Sequence, residues 1–395
     1  MKNKFPTKPL ASRMSLIKPF RVMEVLQQAK QLEAKGVDVI HMEVGEPDFA
    51  TATPIIEAGI KALQQGKTKY TPAVGLPELR EKIAQYYADR FGVNIDPSRI
   101  VITPGASGAL QLVLAALINA GDEVLLPDPG YPCNRHFVQL FDGKAVALNV
   151  DQSTNYQPTV EQLASVWTEK TKVLMLASPA NPTGALISSA ELLKLRQFVA
   201  DKKGVLIVDE IYQGLVYDQE SETALSSVVA SSEDIFVINS FSKYFGMTGW
   251  RLGWVIAPEN YVEALDRLAQ NLFLCAPTPA QHAALAAFEP ASLEIMEQRQ
   301  AQFKQRRDFL MPALQNLGFK IPQTPAGAFY LYTNSEALAE NSNEFCDRVL
   351  QQSAVAITPG MDFGDNNPDQ HIRFAYTTSL ERLEQAVDRL AKFLR

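Results

Sequence analysis

The chain has 395 residues, with 37 basic and 44 acidic side chains for a formal net charge of −7, and 46% of it is hydrophobic, 9% aromatic and 21% charged. That apolar share excludes disorder as the main state, and at about 150 residues per domain the length predicts two to three domains. A mildly acidic chain with no long Lys/Arg run is a poor partner for nucleic acid or an anionic membrane surface.

In chain order, Met1 to Lys18 is basic and Pro-interrupted and lacks the apolar core of a signal peptide. A helix over Val22–Lys35 and a strand over Val39–Glu43 follow. The strand Ile100–Thr103 then leads into an apolar helical segment, Ala109 to Ala120, which carries Gln111 and Asn119 and is too short to span a bilayer. Further strands are predicted at Glu123–Leu126, Lys144–Asn149, Val173–Ala177, Val205–Asp209, Ile235–Asn239 and Trp254–Ala257. The run Val205-Leu206-Ile207-Val208 is continuously apolar, as a strand covered on both faces reads. Between strands lie helical patterns such as Ser188–Lys202, with Leu192, Leu195, Phe198 and Val199 at helical spacing. This alternation predicts an α/β fold with a mostly parallel seven-stranded sheet flanked by helices.

The C-terminal part reads differently. An amphipathic segment around Leu293–Leu317 precedes Gly327–Tyr332, a helix over Ser342–Gln352, the strand Ile372–Tyr376 and a closing helix over Ser379–Leu394. These predict a smaller α+β domain over 290–395, joined by an N-terminal arm and segment over 1–45, with a large domain over 46–289 between them. Cys133, Cys275 and Cys346 lie far apart with no CxxC, which suits small buried hydrophobes in a reducing compartment and no metal site. The expectation is a soluble, cytoplasmic protein.

The most informative stretch runs Ser240-Phe241-Ser242-Lys243-Tyr244-Phe245-Gly246-Met247-Thr248-Gly249-Trp250-Arg251-Leu252-Gly253. It follows a strand, so Lys243 is placed just beyond that strand's C-terminal edge, where open α/β sheets bind ligands. A lysine there can lose its proton by desolvation and attack a carbonyl. Ser240 and Arg251 flank it, a hydroxyl and a forked cation suited to a phosphate. Asp209 ends another strand, which places a carboxylate at the same edge of the sheet. Thr103-Pro104-Gly105-Ala106-Ser107-Gly108 joins a strand to a helix whose first turn favours an anion. Taken singly, each of these also reads as packing, a turn or a solvated face.

Together they closely resemble the signature of pyridoxal-phosphate aminotransferases of the aspartate aminotransferase superfamily, fold type I, class I/II. The resemblance covers nearly the whole chain. It implies that Lys243 forms a Schiff base with pyridoxal 5'-phosphate and serves as the general base. It implies that Asp209 pairs with the pyridine nitrogen, while Tyr212 and Asn181 (in Asn181-Pro182-Thr183-Gly184) reach the phenolic oxygen. Gly105, Ala106, Ser107, Ser240 and Arg251 correspond to phosphate contacts, and Tyr131 to the aromatic stacked on the ring. Arg373 corresponds to the clamp on the substrate α-carboxylate, with Gly45 lending backbone to the same group and the adjoining acids structural. Tyr70 matches a tyrosine that reaches the phosphate of the neighbouring subunit, which implies a homodimer.

The implied reaction is ping-pong transfer of an amino group from an L-amino acid to a 2-oxo acid such as 2-oxoglutarate or pyruvate. Some aspartate-specific relatives have lysine at Ser107 and many have tryptophan at Tyr131. Both departures favour a hydrophobic or small monocarboxylic donor. A β-lyase or related elimination enzyme would use the same residues. A sensor built on this fold would need a DNA-reading helix-turn-helix, and the residues before Gly45 read as arm, helix and strand.

Overall fold

The computed structural model describes residues 10–217 and 234–395. Among them, twelve strands form three sheets: β1 (Ile40–His41), β2 (Ile100–Thr103), β3 (Glu123–Asp128), β4 (Lys144–Asn149), β5 (Thr171–Ala177), β6 (Val205–Asp209), β7 (Ile235–Ser240), β8 (Gly253–Ile256), β9 (Tyr330–Asn334), β10 (Val355–Ala356), β11 (Thr358–Pro359) and β12 (His371–Ala375). The seven-stranded sheet runs β2-β8-β7-β6-β5-β3-β4, and β8 alone is antiparallel to its neighbours.

Residue alternation explains why this sheet is covered on both sides. Leu206 and Val208 of β6, with Ile235 and Val237 of β7, belong to one hydrophobic cluster. Ile207, Phe236 and Ile238, their neighbours in sequence, belong to a second cluster on the other face. All of these side chains are essentially inaccessible to water, each contributing about 1.5–3 kcal/mol by burial. The helix Gly105–Leu117 packs on β7 and β8 from the second face.

Helix starts follow local chemistry. Ser188, Asn341 and Ser379 each accept a backbone N–H in the first turn of the helix they precede, and Thr159 forms a full capping box with Gln162. The predicted helix over Ser188–Lys202 is observed as Ser189–Asp201, and that over Val22–Lys35 as Arg21–Glu33. The segment read around Leu293–Leu317 starts earlier, at Pro290, because proline suits the first turn of a helix.

The C-terminal residues make an antiparallel sheet, β11-β12-β9, and β10 pairs in parallel with β1 near the other end of the chain. The predicted strand Val39–Glu43 shortens to Ile40–His41, and Gly327–Tyr332 shifts to Tyr330–Asn334. The hydrogen bonds Met42 N to Ala356 O (2.9 Å) and Ala375 N to Met42 O (2.8 Å) carry the chain past β1 along β12. The long helix is tied to the same stretch by a bidentate Arg306–Asp48 pair at 2.8 and 3.0 Å. Of the cysteines, Cys346 is buried while Cys133 and Cys275 are only partly so, all three free. Among the described residues no helix is long and apolar enough to cross a membrane, and no metal-binding cluster occurs.

Candidate active site

Strand direction decides where the site lies. β2, β3, β5, β6 and β7 are parallel and end at one edge, delivering Gly105, Tyr131, Asn181, Asp209 and Lys243 just beyond it. Because β8 runs the other way, its beginning lies at that same edge, and Arg251 stands two residues ahead of it. A cavity of about 290 Å³ opens there, lined by Lys243, Asp209, Tyr212, Asn181, Tyr131, Ala106, Ser107, Arg251, Arg373 and Gly45. Gly105 backs this wall. Ser240 lies behind it, its hydroxyl within hydrogen-bond distance of Leu252 O (3.0 Å), which can only accept, and of the Ser242 hydroxyl (2.9 Å), while Ser242 joins Ser107 in lining the cavity. Tyr70 lies away from the cavity and is 80% exposed.

Lys243 donates to the carbonyl of Gly45 at 2.6 Å. Burial chiefly, then the nearby cations Arg373 and Arg251, push its amine down to about 8, against the pull of Glu46 and Asp209. With its proton held so weakly, roughly a tenth of this amine is uncharged at pH 7, far more than of an ordinary lysine, and the uncharged form is the one that attacks a carbonyl. Amine-selective labelling of Lys243 in the protein stripped of small molecules should therefore rise with pH through a midpoint near 8, as proton loss exposes the lone pair. Peptide mapping of labelled samples checks this, and a midpoint at the ordinary lysine value of 10.5 would contradict it.

Asp209 is buried, and burial pushes its carboxyl up to about 6, opposed by the N–H of Ile211 (3.0 Å on Oδ1) and by the Lys243 charge. A carboxylate so poor in solvent is stabilised by a cation placed against it. Glu210, next in sequence, is fully buried, and neither carboxylate oxygen has a hydrogen-bond partner among the described residues. Burial first and the Asp209 charge second push it up to about 8. A carboxyl whose folded value exceeds its unfolded value contributes stability that is present at low pH and lost as pH rises. Unfolding free energy should thus decline between pH 4.5 and about 8, by an amount on the order of a few kcal/mol. Glu210→Gln should remove that part of the slope, as chemical denaturation across the range would reveal.

The phosphate-shaped corner rests on a helix start and a cation. Gly105 has φ +73°, left-handed backbone that glycine adopts without strain, and a Cβ there would meet Arg251 Nη2 at 2.6 Å. The guanidinium therefore lies against the first turn of the helix Gly105–Leu117, which has no side-chain cap of its own. Uncapped N–H groups and a forked cation together make an anion site.

Arg373 is brought in by β12. Neighbouring elements cover both faces of that strand, so the arginine is 3% exposed rather than solvated. Its Nη1 donates to Asn181 Oδ1 at 2.9 Å and its Nη2 to Glu43 O, while its rings of contact are Tyr330 (4.3 Å) and Phe363 (4.7 Å). Its Nε is buried with no partner among the described residues, a donor left for a bound anion.

Sequence reasoning missed several cavity residues. Tyr330 of β9 shares a 2.7 Å hydroxyl contact with Tyr212 and sits where any side chain at Gly45 would have to go. Its only sequence signal is an aromatic in the short run Phe329-Tyr330-Leu331-Tyr332, which reads as core. Glu46, taken as structural from sequence, lines the cavity and accepts from Thr248 Oγ1. Phe20, Val22 and Met23 at the start of the first long helix, with Leu110 and Ile211, supply apolar wall.

Comparison with known proteins bears on this constellation. Residues 37–390 match the model of the family described as aminotransferase class I and II. The (5-formylfuran-3-yl)methyl phosphate transaminase of Methanocaldococcus jannaschii is 38% identical over 98% of this chain and 99% of its own length. The valine–pyruvate aminotransferase of Mycobacterium tuberculosis is 34% identical over 96% and 97%. A solved aspartate aminotransferase from Thermus thermophilus, with maleate, superposes with a TM-score of 0.91 at 33% identity, covering 98% of this chain and all of that one.

Proposed function

The chain belongs to the class I and II aminotransferase family and is a pyridoxal-phosphate-dependent transaminase of fold type I; from that premise we propose a division of labour among its cavity residues and a class of amino donor. The donor set suits the cofactor: an amine of lowered basicity, a buried carboxylate that a ring cation would stabilise, and a helix start with Arg251 for a phosphate. Pyridoxal phosphate, when bound, supplies an aldehyde that condenses with amines and a pyridinium ring that accepts the electron pair freed at the α-carbon.

The rest falls to the protein. Lys243 Nζ holds the aldehyde at rest and, once displaced, takes the α-proton of the bound amino acid as general base. Asp209 keeps the proton on the ring nitrogen. Tyr212 and Asn181 orient the phenolic oxygen, and Tyr131 supports the ring. Gly105, Ala106, Ser107 and Arg251 take the phosphate, with Ser240 bracing that corner from behind unless its hydroxyl turns from Leu252 O to the phosphate, and Tyr70 of a second copy completes that site in a homodimer. Arg373 and Gly45 take the substrate carboxylate. The two substrates follow one another in ping-pong order, the first 2-oxo acid leaving before the second enters. The proposed boundaries are 46–289 for the unit that carries the cofactor and 1–45 with 290–395 for the smaller one, residues 1–9 and 218–233 lying outside the described residues, in a cytoplasmic enzyme.

Amino donors with apolar or small uncharged side chains are the proposed class. The cations lining the cavity among the described residues are Lys243, Arg251 and Arg373, each already assigned, so this chain leaves none for a distal carboxylate. Ser107 is small and uncharged, Glu46 is an acid that would repel a distal carboxylate, and Phe20, Val22, Met23, Leu110 and Ile211 supply apolar wall. A relative named for valine and pyruvate fits the same class. Lys243, Asp209 and Arg373 facing one cavity from three distant parts of the chain is the observation that carries this function.

Mixing the holoenzyme with each amino acid separately and following the colour change on amino-group uptake tests the reading. Apolar donors should react fastest. A preference for aspartate or glutamate would overturn the donor class, and release of ammonia in place of transfer would overturn the transaminase assignment to this substrate set. Arg373→Ala should raise KM for the donor by about a hundredfold, since a buried bidentate partner for a carboxylate is lost. Steady-state kinetics with the best donor checks it, kcat changing much less than KM.

A further inference from the structure

The helix Arg21–Glu33 starts at the mouth of the cavity, and its first residues form part of the cavity wall. Phe20, at the N-cap position, has no side chain able to satisfy the first backbone donors. Asp362 satisfies them from far along the chain: Oδ1 accepts Arg21 N at 3.0 Å and Oδ2 accepts Val22 N at 3.1 Å. Its carboxylate is 5% exposed, so these bonds form largely out of water.

The turn that carries Asp362 is itself anchored. Arg135 Nη2 donates to Asp362 O at 2.6 Å, and Gly130 N to Phe363 O at 2.8 Å. Phe363, the next residue, packs against the guanidinium of Arg373 at 4.7 Å. One short turn therefore sets two parts of the substrate space, the cation that takes the carboxylate and the apolar segment above it. Phe20 presses edge-on to Tyr131, with ring centroids 6.3 Å apart. Met23 reaches the cavity while remaining 52% exposed, as a side chain at an entrance does. On the outer side of the same helix start, Arg21 reaches Asp347 (2.8 Å), Asn343 (3.0 Å) and Glu24 (2.9 Å). The contacts to Asp347 and Asn343 fix the helix to the helix Ser342–Ser353, whereas Asp362 holds the first-turn backbone on the substrate side.

We propose that Asp362 is a positioning residue that latches Phe20 and Met23 over the cavity and so sets the affinity for apolar amino donors. This rests on the donor class proposed above. The latch itself is a separate statement about the chain, and the two can fail independently.

Asp362→Asn in the holoenzyme keeps the shape but sets an NH2 group against one of the two backbone donors. Hydrogen exchange of the amides of residues 21–24 should then quicken at least about fivefold, as the local opening energy falls. KM for the most reactive apolar donor should rise about tenfold, the equivalent of one lost hydrogen bond, with kcat held within about threefold. Alanine, too short to reach the cover, should show little change in KM. Unchanged exchange, or faster exchange with unaltered KM, overturns the latch. Phe20→Ala combined with Met23→Ala removes the cover without touching the carboxylate, so KM for apolar donors should rise while exchange at residues 21–24 stays as in the parent. An unaltered KM in that variant also overturns the proposal, even should Asp362→Asn fail to fold. A wild-type preference for a dicarboxylic donor, with exchange still quickened by Asp362→Asn, overturns the donor class and leaves the latch standing.

Discussion

Lys243→Ala is expected to abolish transamination while the fold stays intact, with the rate of the half-reaction down at least about 10⁴-fold, or some 5.5 kcal/mol of barrier. Two tasks meet on this one amine. It holds the cofactor aldehyde at rest, and it is the base for the α-proton, its own proton loosened by burial and by Arg373 and Arg251. Alanine performs neither. The structural loss is small by comparison, because the Nζ contact to Gly45 O is the hydrogen bond that this side chain makes. Far-ultraviolet circular dichroism and the melting temperature should match the parent, while single-turnover spectra with the best donor remain flat. Borohydride reduction of the parent holoenzyme, followed by peptide mapping, should tag Lys243. Turnover near the parent rate in the variant, or a tag elsewhere, would refute the assignment.

Asp209→Asn is expected to lower kcat about a thousandfold with a small effect on KM, removing an electrostatic contribution of roughly 4 kcal/mol made as charge develops. The carboxylate lies at the end of β6, one oxygen fixed by Ile211 N and the other free for a ring cation. Asparagine keeps the size and the Ile211 contact but carries no charge, so it cannot hold a proton on the ring nitrogen. Because the side chain is buried, no solvent or salt substitutes for the missing charge. Pre-steady-state rates of amino-group uptake across donors check this. A loss smaller than tenfold would mean that the charge at this strand end does not govern the chemistry.

Much of the fold was legible because its signals are local. The apolar run at Val205–Val208 and the alternation with Ser188–Lys202 follow from period and burial, and both stand within a residue or two of their predicted bounds. The antiparallel direction of β8 was not legible, since direction depends on where the connecting chain re-enters the sheet. The cavity residues divide in the same way. Lys243, Asp209, Asn181 and the Gly105 turn each follow a strand end, so their place could be read from the chain. Tyr330, Phe20, Met23 and Asp362 come from other elements, and only tertiary packing brings them in. Arg373 illustrates the difficulty best: alternation would leave it on an open strand face, yet Tyr330 and Phe363 cover it.

The parallel pairing of β1 with β10 has a consequence for biosynthesis. Ile40 leaves the ribosome early and meets Val355 only when nearly the whole polypeptide has emerged. The stretch from Glu43 to Gly45 is braced at Glu43 by Thr358 of β11 and Arg373 of β12, so a nascent chain lacks both the carbonyl facing Lys243 in its final place and the arginine that seizes the substrate carboxylate. Late closure of so long a loop is entropically costly and leaves the early segment waiting without its partner. Competence therefore arrives with the last strand to be made, and a premature stop anywhere before His371 yields an inert product however well its seven-stranded sheet has formed.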